Sequence, residues 1–253
     1  VSTENVECSS SLLFTQGISD RERRAHYGLS ILLFPWAGMR AFHHQSTLAR
    51  CGVCGLHVPL CMCDRMSPEP VTTRVTLIMH IKESRRTSNT GHLIPLTVQG
   101  AEVRLRGQKD AMLRTDGLCV PQFESVLLFP CEDAEVLDQD WAARRRKPVH
   151  LIVPDGNWRQ AKRMSYREPI LAELPRVKLA GGLPSRYRLR RHPDPHFMST
   201  FEAVSRALGV LDGPDIQTRL DATFDCFVER SLWARGELSA SAVTGGIPPI
   251  RPI

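Results

Sequence analysis

The fold class this sequence predicts is α/β with a mostly parallel sheet. Two observations predict it. Short apolar segments that read as strands alternate along the chain with segments of helical period, and the chain is long enough for one sizeable core. Of its 253 residues 42% are hydrophobic, which suits a single domain with a small appendage. No run of eighteen apolar residues occurs, so no segment is expected to span a membrane. Residues 31–36 are apolar and follow Arg21, Arg23 and Arg24. They are too short for a span, and Arg40, His43 and His44 stand where a signal peptide would carry a small-residue cleavage site.

The elements follow in order. Residues 1–45 start polar and lack sustained periodicity, and read as a poorly ordered N-terminal extension. Residues 46–66 hold a cysteine knuckle, and a linker covers 67–70. Residues 71–81, rich in Val, Thr and Ile, read as a buried strand. Residues 90–98 read as a helix whose extent Pro95 limits. Strands are expected at 101–105 and 125–129, a helix at 134–146, and an apolar strand at 149–153 that ends at Pro154-Asp155-Gly156. Residues 157–174 read as a helix with a basic side, which Pro169 kinks or splits. A strand at 176–179 and a loop at 181–184 follow. Ser199 can cap a helix running to Leu211, with Glu202 completing a capping box. A long helix is expected at 214–235. The α/β domain then spans 67–240, and 241–253 form a Pro-rich flexible tail. In such sheets ligands bind beyond the carboxyl ends of strands, where Asp155 and the segment after Ile81 both lie.

Eight cysteines are present, and four fall within thirteen residues: Cys51, Cys54, Cys61 and Cys63. The spacing C-x2-C-x6-C-x-C does not resemble the dispersed pairs of a disulfide framework. It points to a metal site in a reducing cytoplasm. Four thiolates suit a closed, structural zinc site with no position left for water. An iron–sulfur cluster also takes four cysteines, and His57 within the loop could replace one ligand. Net charge is +6. Basic runs at Arg144-Arg145-Arg146-Lys147, at Arg159, Lys162 and Arg163, and at Arg186, Arg188, Arg190, Arg191 and His192 each read as a solvated face alone. Together they favour a phosphate-backbone partner. Neither G-x-G-x-x-G nor a P-loop occurs, which argues against Rossmann-type cofactor use and nucleotide hydrolysis.

The segment Val153-Pro154-Asp155-Gly156-Asn157-Trp158 delivers an aspartate from a buried strand to a turn from which a helix departs. Asp155 can serve there as a general base or orient a polar ligand, and Trp158 can stack on a base or shape a pocket. The pattern is equally compatible with Asp155 as a helix cap and Trp158 as core.

This segment resembles the signature of the DTW-domain family, an Asp followed by Thr and Trp, with Asn157 standing where Thr is usual. Three further stretches resemble the family in the right order: the cysteine cluster; His80-Ile81-Lys82-Glu83 with Asn89-Thr90-Gly91; and Tyr187-Arg188-Leu189-Arg190 with Ser199-Thr200-Phe201-Glu202-Ala203. The likeness covers roughly residues 46–235. It implies a SPOUT-like fold, which can carry a knotted chain. It implies that 67–240 is a catalytic domain transferring the aminocarboxypropyl group of S-adenosylmethionine to N3 of a tRNA uridine. The resemblance offers Asp155, Trp158, His80 and Glu83 as catalytic, with His80 equally well a satisfied buried histidine. It offers Asn89, Thr90, Pro154, Asp155, Ser199, Thr200 and Glu202 for the co-substrate; Ser199 and Glu202 also serve as simple caps. Arg159, Lys162, Arg163, Arg188 and Arg190 would hold tRNA, with no membrane and no obligate protein partner. The competing readings are a SPOUT-like RNA methyltransferase and a non-catalytic zinc-containing RNA-binding protein.

Overall fold

The computed structural model describes residues 49–109, 111–181, 184–190 and 197–248. The expected extension at 1–45 and the last residues of the tail lie outside them. After a knuckle made of two short 3-10 turns come β1 (Arg74–His80), α1 (Ile81–Ser84), α2 (Ile94–Thr97), β2 (Glu102–Arg106) and β3 (Glu124–Leu128). These lead to β4 (Glu135–Leu137), α3 (Gln139–Ala143), β5 (Val149–Asp155) and α4 (Trp158–Arg167). The chain closes with α5 (Pro169–Ala172), β6 (Arg176–Leu179), α6 (Thr200–Leu211) and α7 (Pro214–Ala234).

The six strands form one sheet in the order β2-β1-β5-β3-β6-β4, and every pairing is parallel. Strand β5 is central and buried throughout, the reason its sequence is an almost unbroken apolar run. Alternate residues face opposite layers, as the strand period of two requires. Val75, Leu77, Val126, Leu128, Leu151 and Val153 pack with α6 and α7. Ile78, Leu127 and Ile152 pack with Ala161 and Met164 of α4 and Leu171 of α5. The result is a sheet between two helical layers.

One expectation changes, and a second, the break at Pro169, becomes definite. Residues 135–137, expected to be helical, form the edge strand β4, and the helix begins only at Gln139. Pairing with β6 overrides the local helical pattern, and Asp138 accepts from the Trp141 amide at 2.8 Å to start the helix. The basic helix after β5 divides at Pro169: Glu168 takes an extended ψ of 115°, the conformation a following proline imposes.

The cysteine knuckle is built into the main core. Cys54, Leu56, Leu60 and Met62 are buried in the same cluster as β1, β5, α6 and α7. Arg230 of α7, only 1% exposed, donates to the carbonyls of Leu60 at 3.0 Å and Cys61 at 2.8 Å. A buried guanidinium is tolerated only when hydrogen-bonded in this way. Residues 240–248 return over this region, where Val243 is buried, the Thr244 amide donates to Glu229, and Arg65 donates to the Gly245 carbonyl. Among the described residues no helix is long and apolar enough to cross a membrane.

Candidate active site and metal centre

Asp155 is the last residue of β5, at the carboxyl end of the central strand. It is 3% exposed. Its Oδ2 accepts from Asn89 Nδ2 at 2.8 Å, and its Oδ1 accepts from the Thr200 hydroxyl at 2.5 Å. These donors come from the turn after α1 and from the start of α6. Burial pushes the Asp155 carboxyl above the usual carboxylate range, against the stabilising hydrogen bonds from Thr200 and Asn89. Each oxygen keeps lone-pair capacity for a further donor.

The two readings left open for this turn separate here. Asn157, not Asp155, caps α4: its side chain accepts from the Gln160 amide at 2.9 Å while Gln160 Oε1 accepts from the Asn157 amide at 2.8 Å. Asn157 thus does the capping work that a threonine can do at this position, and Asp155 is left facing the cleft. Trp158 is not core. It is 45% exposed, stacks on Phe129 with ring centroids 5.1 Å apart, and meets Phe197 edge-on at 5.5 Å.

A cleft of about 1560 Å³ opens over the carboxyl ends of β3, β5 and β6. Its size exceeds that of pockets holding one small ligand, roughly 300–1,000 Å³. Among the sequence candidates, Asn89, Thr90, Pro154, Asp155, Trp158, Arg159, Arg188, Arg190, Ser199 and Thr200 line it. Thr90 Oγ1 accepts weakly from the Phe201 amide at 3.4 Å, tying the Asn89 turn to α6.

Other candidates stand apart from the lining. His80 Nδ1 accepts from the Lys82 amide at 3.1 Å and so caps α1; burial, then neighbouring Arg106, lowers its pKa. Glu83 is 1% exposed and pairs with Arg190 at 2.8 Å and Arg86 at 3.1 Å. Glu202 accepts from the Ser185 hydroxyl and the Arg186 amide, both at 2.7 Å, besides completing the Ser199 capping box. Lys162 and Arg163 lie on the exposed side of α4, one turn beyond Arg159, and take no carboxylate partner among the described residues.

Three features escaped the sequence reading. Phe129 and Phe197 complete an aromatic wall with Trp158, a grouping invisible without the fold. His92 connects the knuckle to the Asn89 turn. Gly91 is a steric requirement: a Cβ there would sit 2.6 Å from Asp155 Oδ2 and 3.1 Å from Met79 Cε. Gly91→Ala is therefore expected to displace the carboxylate and lower turnover by about tenfold or more, since small misplacements of reacting groups are costly. Wild-type steady-state rates in that variant would remove the close contact from consideration.

The four cysteine sulfurs all lie within 4.8 Å of one another. Cys51 Sγ is 3.6 Å from both Cys61 and Cys63, and Cys54 Sγ is 3.8 Å from Cys61. Sulfurs about 2.3 Å from one tetrahedral zinc would be about 3.8 Å apart, so the cage fits a single ion. Spacings this tight leave no room for a multi-iron cluster. His57 is not among the grouped ligands.

A family description, the DTW domain, matches residues 48–232. The chain is 29% identical over 181 residues to "tRNA-uridine aminocarboxypropyltransferase 2" of Drosophila melanogaster, covering 68% of this chain and 70% of that protein. It is 25% identical over 177 residues to the protein of the same name in Mus musculus, covering 67% of this chain and 58% of that one. A solved structure described as the SAM-dependent rRNA:acp-transferase Tsr3 from Vulcanisaeta distributa aligns with a TM-score of 0.42 and 18% identity, over 65% of this chain and 84% of the other. With the family match spanning most of the chain and the Asp155, Asn89–Thr90 and Ser199–Thr200 segments converging on one cleft, this protein belongs to the DTW-domain family.

Proposed function

We propose that the protein transfers the 3-amino-3-carboxypropyl group of S-adenosylmethionine to N3 of a uridine in tRNA, in the cytoplasm. The observation that carries this reading is Asp155, buried at the carboxyl end of β5 and held from two sides at an aromatic-walled cleft. The names of its relatives support it.

N3 of uridine is a weak acid. Asp155, with its pKa raised by burial, takes the N3 proton as the N3–carbon bond forms. The carbon–sulfur bond breaks, and methylthioadenosine departs as a neutral thioether. Thr200 and Asn89 orient the carboxylate. At the amino-terminal end of α6 the Thr200 amide is available to the carboxylate of the methionine moiety, the Ser199 amide and hydroxyl being given to Glu202 and the Thr200 hydroxyl to Asp155, with Thr90 and Pro154 beside it. The open face of Trp158, backed by Phe129, suits a flat base or the sulfonium cation. Arg159, Lys162 and Arg163 are available for phosphates, and Arg188 lies at the cleft edge. Arg190 is already committed to Glu83 and Ser88, so its part is to hold the site together. Glu83 in its pairs with Arg190 and Arg86, Glu202 in its bonds from Ser185 and Arg186, and His80 as the cap of α1 are likewise assigned supporting parts. Zinc on Cys51, Cys54, Cys61 and Cys63 is structural, because four thiolates leave no open position.

Incubating the zinc-loaded protein with bulk tRNA and S-adenosylmethionine, then analysing nucleosides by mass spectrometry, tests this reading. Aminocarboxypropyl-uridine is the expected product. Methylated uridine would reassign the chemistry to methyl transfer; retained RNA binding with no S-adenosylmethionine binding would make the protein a non-catalytic binder.

A further inference from the structure

We infer that His92 is a positioning residue, through which the four-cysteine knuckle sets the orientation of Asn89 and hence of Asp155. The inference takes the Asp155 cleft as the S-adenosylmethionine site proposed above. His92 faces two ways. Its Nε2 lies 3.1 Å from the carbonyl oxygen of Cys54, and a carbonyl only accepts, so Nε2 carries the proton of that bond. Its backbone amide donates to Asn89 Oδ1 at 3.1 Å. Asn89 spends its other end on Asp155 Oδ2 at 2.8 Å. One short 3-10 turn, Gly91–Leu93, therefore joins a metal ligand's own peptide to the carboxylate.

The fit on the knuckle side is close. Gly55 follows Cys54 with φ +74°, and a Cβ there would lie 3.4 Å from His92 Nε2. Glycine meets the conformational demand of the positive φ, and a side-chain carbon there would touch the ring at van der Waals distance. The imidazole is braced from behind by Phe227 of α7, edge-on at 5.8 Å. On the other side of the turn, Gly91 packs against the Asp155 carboxylate with no space for a methyl group. A turn gripped at both ends moves as a unit, so an ordered knuckle and an ordered Asp155 favour each other. By linkage, a ligand that orders the Asp155 cleft then raises the affinity of the knuckle for its metal, and the metal raises the affinity for that ligand by the same factor.

The test uses the full chain. S-adenosylmethionine affinity of the zinc-loaded protein is measured by calorimetry, and zinc affinity by competition with a chelator, with and without saturating S-adenosylmethionine. In the wild type, S-adenosylmethionine is expected to raise zinc affinity. His92→Phe keeps a ring beside Phe227 but has no donor for the Cys54 carbonyl. It should weaken S-adenosylmethionine binding by about fivefold, the ratio set by one neutral hydrogen bond, and abolish the response of zinc affinity. His92→Gln places an amide donor near the lost Nε2 and should recover both. A merely structural histidine would not link the two affinities. His92→Leu, which fills the space with neither ring nor donor, should act like His92→Phe and serves if that variant does not fold. Wild-type behaviour of both variants, or a zinc affinity indifferent to S-adenosylmethionine in a wild type that binds it, would overturn the inference. If the wild type does not bind S-adenosylmethionine, the reading of the cleft fails separately. Positioning by His92 is then judged by amide hydrogen exchange: removal of zinc should speed exchange at Gly91 and His92, and unchanged exchange there would sink it.

Discussion

Asp155→Asn is expected to lower aminocarboxypropyl transfer by about 10²–10⁴-fold, the usual contribution of a positioned general base, while leaving the melting temperature unchanged or higher. The geometry survives the change. Asparagine can turn its carbonyl to Asn89 Nδ2 and its amide to the Thr200 hydroxyl, which then accepts. The stability expectation follows from the sign of the pKa shift. Burial raises the folded-state pKa of Asp155 above its unfolded value. Below the unfolded value the group is protonated in both states, and its contribution is fully favourable. As pH rises through the folded value, a buried carboxylate must ionise and stability is lost. Asparagine stays neutral throughout, so the variant gains relative to the wild type on the alkaline side. The wild-type rate should fall as pH drops through the raised pKa, above the range of an ordinary carboxylate. Single-turnover rates and thermal melts across pH measure both. A variant that retains wild-type rates would exclude Asp155 as the base, and one that melts several degrees lower at pH 8 would show that the carboxylate stabilises the fold.

Cys54→Ser, or stripping the metal with a chelator, is expected to lower the melting temperature by more than about 10 °C. Structural zinc binding is folding free energy, and a loss of about 5 kcal/mol corresponds to roughly 10–20 °C in a domain of this size. The expectation is large because the knuckle is not peripheral. Cys54, Leu60 and Met62 share the core of β1, β5, α6 and α7, and Arg230 is buried against the Leu60 and Cys61 carbonyls. Freeing those carbonyls would leave a buried guanidinium with only the 3.5 Å hydrogen bond to the Gly246 carbonyl. Elemental analysis and calorimetry are the measurements, with exposed Cys119→Ser as the control that should change neither. An unchanged metal content and melting temperature in Cys54→Ser would mean that the four cysteines do not form a structural site.

Features set by neighbours in the chain were legible before any coordinates. Strands β1, β3 and β5 fall where apolar runs marked them, β2 where alternation did, and β6 at the residues expected for it. The capping box of Ser199 and Glu202 starts α6 at the expected residue, and Pro169 divides the basic helix. The four metal-ligand candidates were readable because C-x2-C-x6-C-x-C spacing is itself local geometry. The family resemblance extended this to the segments around Asp155, Asn89 and Ser199.

The rest depended on contacts between distant residues. Strand β4 exists because β6 offers it an edge, not because Glu135-Val136-Leu137 prefers extended structure. Whether Asp155 caps a helix or faces a cleft was undecidable locally; Asn89 and Thr200, 66 and 45 residues away, decide it. Trp158 could have been core until buried Phe129 and neighbouring Phe197 were seen to hold it at the cleft. The candidates His80, Glu83 and Glu202 take part in capping and ion pairs that only packing could assign. The knuckle's ligands were visible in thirteen residues. Its seat on Arg230 and its link through His92 to Asp155 were not. Periodicity and spacing act through the covalent chain and can be read along it, whereas burial and long-range hydrogen bonds depend on which surfaces the folded chain brings together.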